Sequence, residues 1–299
     1  MKAVQLGATV ARRIMAAIGF LACGAPAAPP AERHPLFDPS DAKGWSVAES
    51  ALEPSKERAP DGTAALRWRV TVDHTAGEPK YPIGWPRFGR AIPEGPARDW
   101  SGWDSLNLWL RADTSRGELP REPVGLGLHT PDKSSSFQRP LSELRKGEWV
   151  ELDIPLREIP RHGDVRHVQF HIAESKYAHG DTLDLWVAGP ELRRPAAPVL
   201  LGLAPECAVL YADAARVPVR FRVSGVRPGE TAEVEVLLRR GDETRAKAAL
   251  RLGRGEHRVE LVTGRAPLGP GECEIVAGIA GQPDKATARI RMVESPWAR

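Results

Sequence analysis

The chain has 299 residues, of which 41% are hydrophobic and 27% charged, with 28 Gly and 28 Pro. That length suggests two domains, each able to bury its own core, and the hydrophobic share excludes a disordered chain. The Gly and Pro follow no period, which excludes collagen, and three cysteines are too few for a disulfide scaffold.

The formal charge of +3 has a local origin. Residues 1–28 read as an export signal. Lys2, Arg12 and Arg13 form a basic n-region, Ile14 to Cys23 an apolar run, and Ala25-Pro26-Ala27 a small-x-small cleavage site. The run is shorter than the ~20 residues a membrane-spanning helix needs. The mature chain is therefore expected to have no transmembrane span and to act in the periplasm, outside the cell or at its surface. Arg12-Arg13 is a partial twin-arginine pattern. Leu21-Ala22-Cys23-Gly24 faintly resembles a lipoprotein box, so anchoring at Cys23 is the lesser alternative to simple secretion. Without Lys2, Arg12 and Arg13, the 42 basic residues fall to 39, level with the 39 acidic ones. A balanced chain gives no argument for binding nucleic acid or an anionic membrane. Cys207 and Cys273 remain, and one disulfide between them is left open.

After residue 30 the recurring pattern is short runs of period two, bounded by Gly, Pro, Asp or Ser, which predicts an all-β protein. In chain order the predicted strands are 45–49, 66–72, 81–89, 106–110, 124–128, 134–140, 150–154, 168–172 and 183–187. Leu66, Trp68, Val70 and Val72 alternate with Arg67, Arg69 and Thr71, as Val168, Phe170 and Ile172 do with Gln169 and His171. Alternation this clean implies antiparallel sheets with one buried face each. Residues 194–198 read as a short Pro/Ala linker. Beyond it lie predicted strands 207–211, 217–223, 231–239, 246–252, 256–263, 273–280 and 286–292, and only one of the nine Trp. Seven strands in that length suggest an immunoglobulin-like sandwich over 199–299.

The order Leu36-Phe37-Asp38, Trp45, Trp103-Asp104-Ser105-Leu106-Asn107-Leu108-Trp109-Leu110-Arg111, Gly147-Glu148-Trp149-Val150-Glu151-Leu152-Asp153, Val165 to Phe170 and Leu183-Asp184-Leu185-Trp186-Val187 resembles the galactose-binding-like, jelly-roll carbohydrate-binding modules of bacterial secreted proteins. The resemblance covers 36–193. It implies a jelly-roll sandwich, a sugar ligand and, at Asp38, Asp41 and Asp184, a structural calcium ion, with no other cofactor. The second half resembles bacterial immunoglobulin-like or fibronectin-like domains through Leu268-Gly269-Pro270-Gly271-Glu272-Cys273. Their corner strand usually begins with Tyr, so Cys273 is alternatively a core substitution.

Sugar recognition combines an aromatic platform for the pyranose C–H face with planar donors and acceptors for the hydroxyls. The non-core faces offer Trp109, Trp186, His129, Gln169 and His171, and the flanking segments add Tyr81, Trp85, Arg87, Gln138 and Arg139. Gly125 and Gly127, in phase with His129, make that strand the expected floor of a ligand cleft. Trp68, Trp103 and Trp149 are expected in the core. His167 and His171 lie ~13 Å apart on a regular strand and cannot share a zinc ion. No nucleophile elbow, P-loop, zincin motif or dinucleotide turn is present. The sequence therefore predicts an exported, non-catalytic protein that binds a neutral polysaccharide or oligosaccharide. The C-terminal domain would be a spacer or would meet a protein partner. The alternatives are a structural or protein-binding surface module and a polysaccharide hydrolase or lyase.

Overall fold

A computed structural model describes residues 31–38, 41–77, 84–132, 136–264 and 268–297. The proposed export signal and Tyr81 lie outside the described residues. Among those described there is no α-helix, and none is long and apolar enough to cross a membrane.

Among the described residues eleven strands build the first β-sandwich. They are β1 (Ala31–Pro35), β2 (Ser46–Ala48), β3 (Ala51–Arg58), β4 (Ala64–Thr71), β5 (Arg87–Ala91) and β6 (Ser105–Thr114), then β7 (Gly125–His129), β8 (Phe137–Pro140), β9 (Trp149–Pro155), β10 (His167–His171) and β11 (Thr182–Pro195). One sheet runs β3-β4-β11-β6-β9, with β1 also paired to β11, and the other runs β2-β5-β10-β7-β8. All pairings within these sheets are antiparallel. Each strand turns its branched or aromatic positions inward because a two-residue period leaves alternate side chains on one face. Leu66, Trp68 and Val70 of the first sheet thus meet Leu126, Leu128, Val168 and Phe170 of the second in one core. A chain of rings crosses it. Trp68 stands 4.9 Å from Phe88, and Phe88 5.0 Å from Phe170.

Two aromatic positions are used otherwise than the sequence suggested. Trp186, expected on an open face, is 7% exposed. It packs with Trp109 and Trp149 on the outer side of the first sheet, under the guanidiniums of Arg67 and Arg111. Trp149, expected in the core, belongs to this outer cluster because Val150 and Leu152 take the inward positions of β9. Trp103, expected in the core, packs against its margin and is partly buried, with Arg194 stacked 4.8 Å above it.

The second β-sandwich comprises β12 (Val199–Pro205), β13 (Val209–Tyr211), β14 (Arg216–Ser224), β15 (Ala232–Arg240), β16 (Glu243–Leu252), β17 (Gly255–Val262), β18 (Gly271–Ile279) and β19 (Lys285–Val293). Its sheets are β12-β14-β17 and β13-β19-β18-β15-β16, with β13 parallel to β19. Its core is separate and centres on Val219, Phe221, Val236, Leu238, Ile275 and Ile290. Cys273 is buried in it, Cys207 is exposed, and neither is in a disulfide.

The domains meet around Asp104. Arg222 Nη2 and Arg254 Nε donate to Asp104 Oδ1 at 3.2 and 3.0 Å, and the Gly225 N–H donates to Oδ2 at 3.1 Å. Burial opposes ionisation of Asp104. The donors from Ser224 and Gly225 and the charge of Arg254 outweigh it and hold the carboxyl below its ordinary value. Beside it, Glu32 accepts from Arg194 Nε at 2.9 Å and from Arg227 Nη2 at 2.8 Å. Arg194 and Pro195, read as linker in the sequence, are the last residues of β11 and pair with Glu32 and Ala31.

Candidate functional site

The outward face of the second sheet collects most of the polar residues singled out by alternation. On β10, Val168 and Phe170 point inward, which leaves His167, Gln169 and His171 outside. The register sets His171 opposite Gly125 on one side and Arg87 on the other. Gln169 lies between Gly127 and Gly89, and His167 between His129 and Ala91. On β8, Gln138 stands opposite Gly127 and Arg139 opposite Leu126.

The glycines in this face are occupied by neighbouring side chains. A Cβ on Gly125 would stand 2.5 Å from His171 Nε2, and one on Gly127 2.9 Å from Gln138 Nε2. A Cβ on Gly89 would collide with the ring of His167. Small residues here let flat polar groups lie down on the sheet. The open floor expected at Gly125 and Gly127 is thus a polar surface of imidazole and amide.

Gly125, His171, Gln138, Arg139, Glu122 and Lys176 line a cleft of about 270 Å³. Its walls are held by ion pairs, Lys176 Nζ to Glu122 Oε2 at 2.6 Å and Arg139 to Glu143. Trp85 stands beside the cleft, 49% exposed, edge-on to the His171 ring at 5.6 Å. The Arg87 guanidinium lies 5.0 Å from the Trp85 ring. At the other end of the face His129 and His167 face each other with ring centroids 5.5 Å apart. His129 Nε2 and His171 Nδ1 have no hydrogen-bond partner among the described residues. Burial lowers the pKa of His129, His167 and His171, and for the last two the charge of His129 adds to it.

The structure therefore brings Trp85, Arg87, Gln138, Arg139 and His171 together, with Gln169 next along the strand and His129 at the far end. It also draws in Lys176 and Glu122. Those two lie on connections without alternation, so no periodic signal marked them. Two of the calcium candidates are held by basic groups. Asp184 accepts from Arg67 at 2.8 and 3.0 Å and from Arg69 at 2.9 Å, and Asp41 pairs with Arg90 at 3.2 Å. Guanidiniums on Asp184 compete with any cation for the same oxygens. Among the described residues no group of three His, Cys, Asp or Glu is placed to hold a metal ion.

A carboxyl pair lies beyond Trp85. Glu174 is 3% exposed; Oε1 accepts from the Asp73 N–H at 3.4 Å and Oε2 lies against Gly84. Glu49, in the left-handed backbone region at φ 53°, brings its own carboxylate to the same glycine, Gly84. Burial raises the pKa of Glu174, and the charge of Glu49 reinforces the shift against the Asp73 and Gly84 N–H groups.

Fold and site together define an all-β chain of two sandwiches with a polar, aromatic-edged face on the first. The sequence matches no protein-family model and no curated protein. Solved structures similar to it include an exo-β-agarase, at 11% identity and a TM-score of 0.40, over 53% of this chain and 24% of that one. Another is the CBM22-1–CBM22-2 tandem of Paenibacillus barcinonensis Xyn10C, at 10% identity and a TM-score of 0.32, over 85% and 91%. A third is the glycoside hydrolase domain of Endo-D from Streptococcus pneumoniae R6, at 11% identity and a TM-score of 0.29, over 83% and 37%. The chain spans about a quarter of the agarase and just over a third of the Endo-D chain. Scores this low carry no weight for what it binds.

Proposed function

We propose that this chain is an exported, non-catalytic glycan-binding protein that holds a neutral carbohydrate against the outward face of its second sheet. The observation that supports this best is the grouping of Trp85, His171 and Gly125. A half-exposed indole stands edge-on to an imidazole that lies close over a glycine, beside a cleft. The indole face suits the axial C–H groups of a pyranose. His171, Gln138 and Arg139 offer donors and acceptors for its hydroxyls. Neutral imidazoles fit an uncharged ligand better than imidazolium would. In this reading the second sandwich is a spacer.

The test is affinity electrophoresis of the purified protein through gels loaded with neutral plant, algal or bacterial polysaccharides. Retardation on at least one is expected, and His171→Ala should abolish it while the unfolding midpoint stays within about 2 °C. Free migration through every gel would count against the reading. Release of dye from a labelled polysaccharide would replace it with a hydrolase.

A further inference from the structure

A cleft of about 640 Å³ opens where the two sandwiches meet, and it shares no residue with the cleft on the sheet face. Its cationic lining is Arg157 from the first sandwich and Arg222, Arg227 and Arg254 from the second. Three of these are committed. Arg222 and Arg254 share Asp104, and Arg227 is paired with Glu32, which Arg194 also binds. Arg254 Nη1 also donates to the Ser101 carbonyl.

Two features leave this network short of anionic partners. Arg157, exposed on a single 3-10 turn (Leu156–Glu158), has no ion pair or hydrogen bond among the described residues. Arg222 is 7% exposed, and its enclosed Nε–H has no acceptor among the described residues. A buried donor without a partner costs about 1–3 kcal/mol in general, more for a charged group, and it leaves the guanidinium's outer nitrogens to meet an anion in the cleft. The remaining carboxylates do not supply one. Glu230 lines the cleft, and Glu256, its side chain 68% exposed, lies 3.9 Å from Arg222. Charge at that exposure is largely screened by solvent. Burial, with the nearby charges of Arg222 and Arg194, holds Arg254 below its ordinary pKa even beside Asp104. The guanidiniums crowd one another, and an added anion relieves that.

We propose that the junction cleft binds a saccharide bearing an oxyanion, its carboxylate or sulfate group received by Arg157 and Arg222. Guanidinium presents a planar fork of donors that matches either group. Ser101 and Thr231 line the same cleft with hydroxyls that suit the rest of a sugar ring. The volume lies in the ~300–1,000 Å³ range of small-molecule sites, which favour domain boundaries. This site is independent of the neutral-glycan face.

The test is affinity electrophoresis at low ionic strength with polygalacturonate and, separately, a sulfated galactan. The two gels distinguish a carboxylate from a sulfate ligand. Retention on at least one is expected, weakening as salt rises, and Arg157→Glu should reduce the affinity about tenfold or more. Arg157 makes no contact that holds the fold, so this variant should unfold at the wild-type temperature. Arg289→Glu changes the net charge equally on an exposed strand position of the second sandwich, and it should keep full retention. Trp85→Ala should also keep it. The proposal is overturned if neither polymer retards the protein or if Arg157→Glu binds like wild type. An equal loss in Arg289→Glu, or a loss in Trp85→Ala, overturns it too.

Discussion

The His171 imidazole lies over the backbone of Gly125, so closely that a single added methyl would stand 2.5 Å from its Nε2. The absence of a side chain on one strand thereby fixes the pose of a ring on the next. Gly125→Ala should push the imidazole off the sheet and away from Trp85. The expected outcome is loss of glycan retardation with a stability decrease of about 1–3 kcal/mol from overpacking, read by urea unfolding. Unimpaired binding would show that the ring's pose is irrelevant.

Trp85 and Trp68 offer a contrast within one residue type. Trp85 is 49% exposed and touches His171 and Arg87, whereas Trp68 is fully buried against Phe88. Trp85→Ala should weaken glycan binding at least tenfold and leave the unfolding midpoint unchanged. Trp68→Ala should cost about 3–5 kcal/mol. Paired calorimetric and binding measurements on the two variants check this, and a matching stability loss in Trp85→Ala would make Trp85 structural.

The three depressed histidines make stability depend on pH. The native state binds fewer protons than the unfolded chain between the lowered values of His129, His167 and His171 and their ordinary value of 6.5. Stability therefore rises with pH through that window and falls as the solution is acidified below ~6.5. A His129→Gln, His167→Gln double variant should show a shallower loss of unfolding midpoint between pH 7 and pH 5. Parallel curves for variant and wild type would disprove the linkage.

Glu174 has the opposite sign. Its carboxyl is raised in the native state, so its contribution is most favourable below its ordinary value of 4.5 and becomes unfavourable as pH rises through the native value. Glu174→Gln keeps an acceptor for the Asp73 N–H and removes the charge that Glu49 repels. It should stabilise the protein at pH 7, by about 1 kcal/mol, and do little at pH 4. Thermal melts at the two values test it.

Alternation made much of the first sandwich legible, because Leu66, Trp68 and Val70 can share a face only in a strand. Trp149 is out of phase with Val150 and Leu152, which already puts it on the outer face. Other elements carried no such signal. The strand Ala51–Arg58 reads Ala-Leu-Glu-Pro-Ser-Lys-Glu-Arg, and Pro54 fits it only because it lies at a sheet edge. Gly125 and Gly127 announced that something approaches the backbone. That the occupants are His171 and Gln138 depends on the β7–β10 and β7–β8 registers, which no local pattern encodes. Asp104 looked like one residue of a strand-opening motif, yet its partners Arg222 and Arg254 lie 118 and 150 residues away.

The connection between the sandwiches is three residues long, from the end of β11 at Pro195 to the start of β12 at Val199. Fully stretched, three residues reach ~10 Å. When the Asp104 and Glu32 ion pairs break, the two walls of the junction cannot diffuse apart, and each stays at a high effective concentration, of millimolar order or more for tethers this short. Re-formation is then a unimolecular event, unaffected by dilution of the protein.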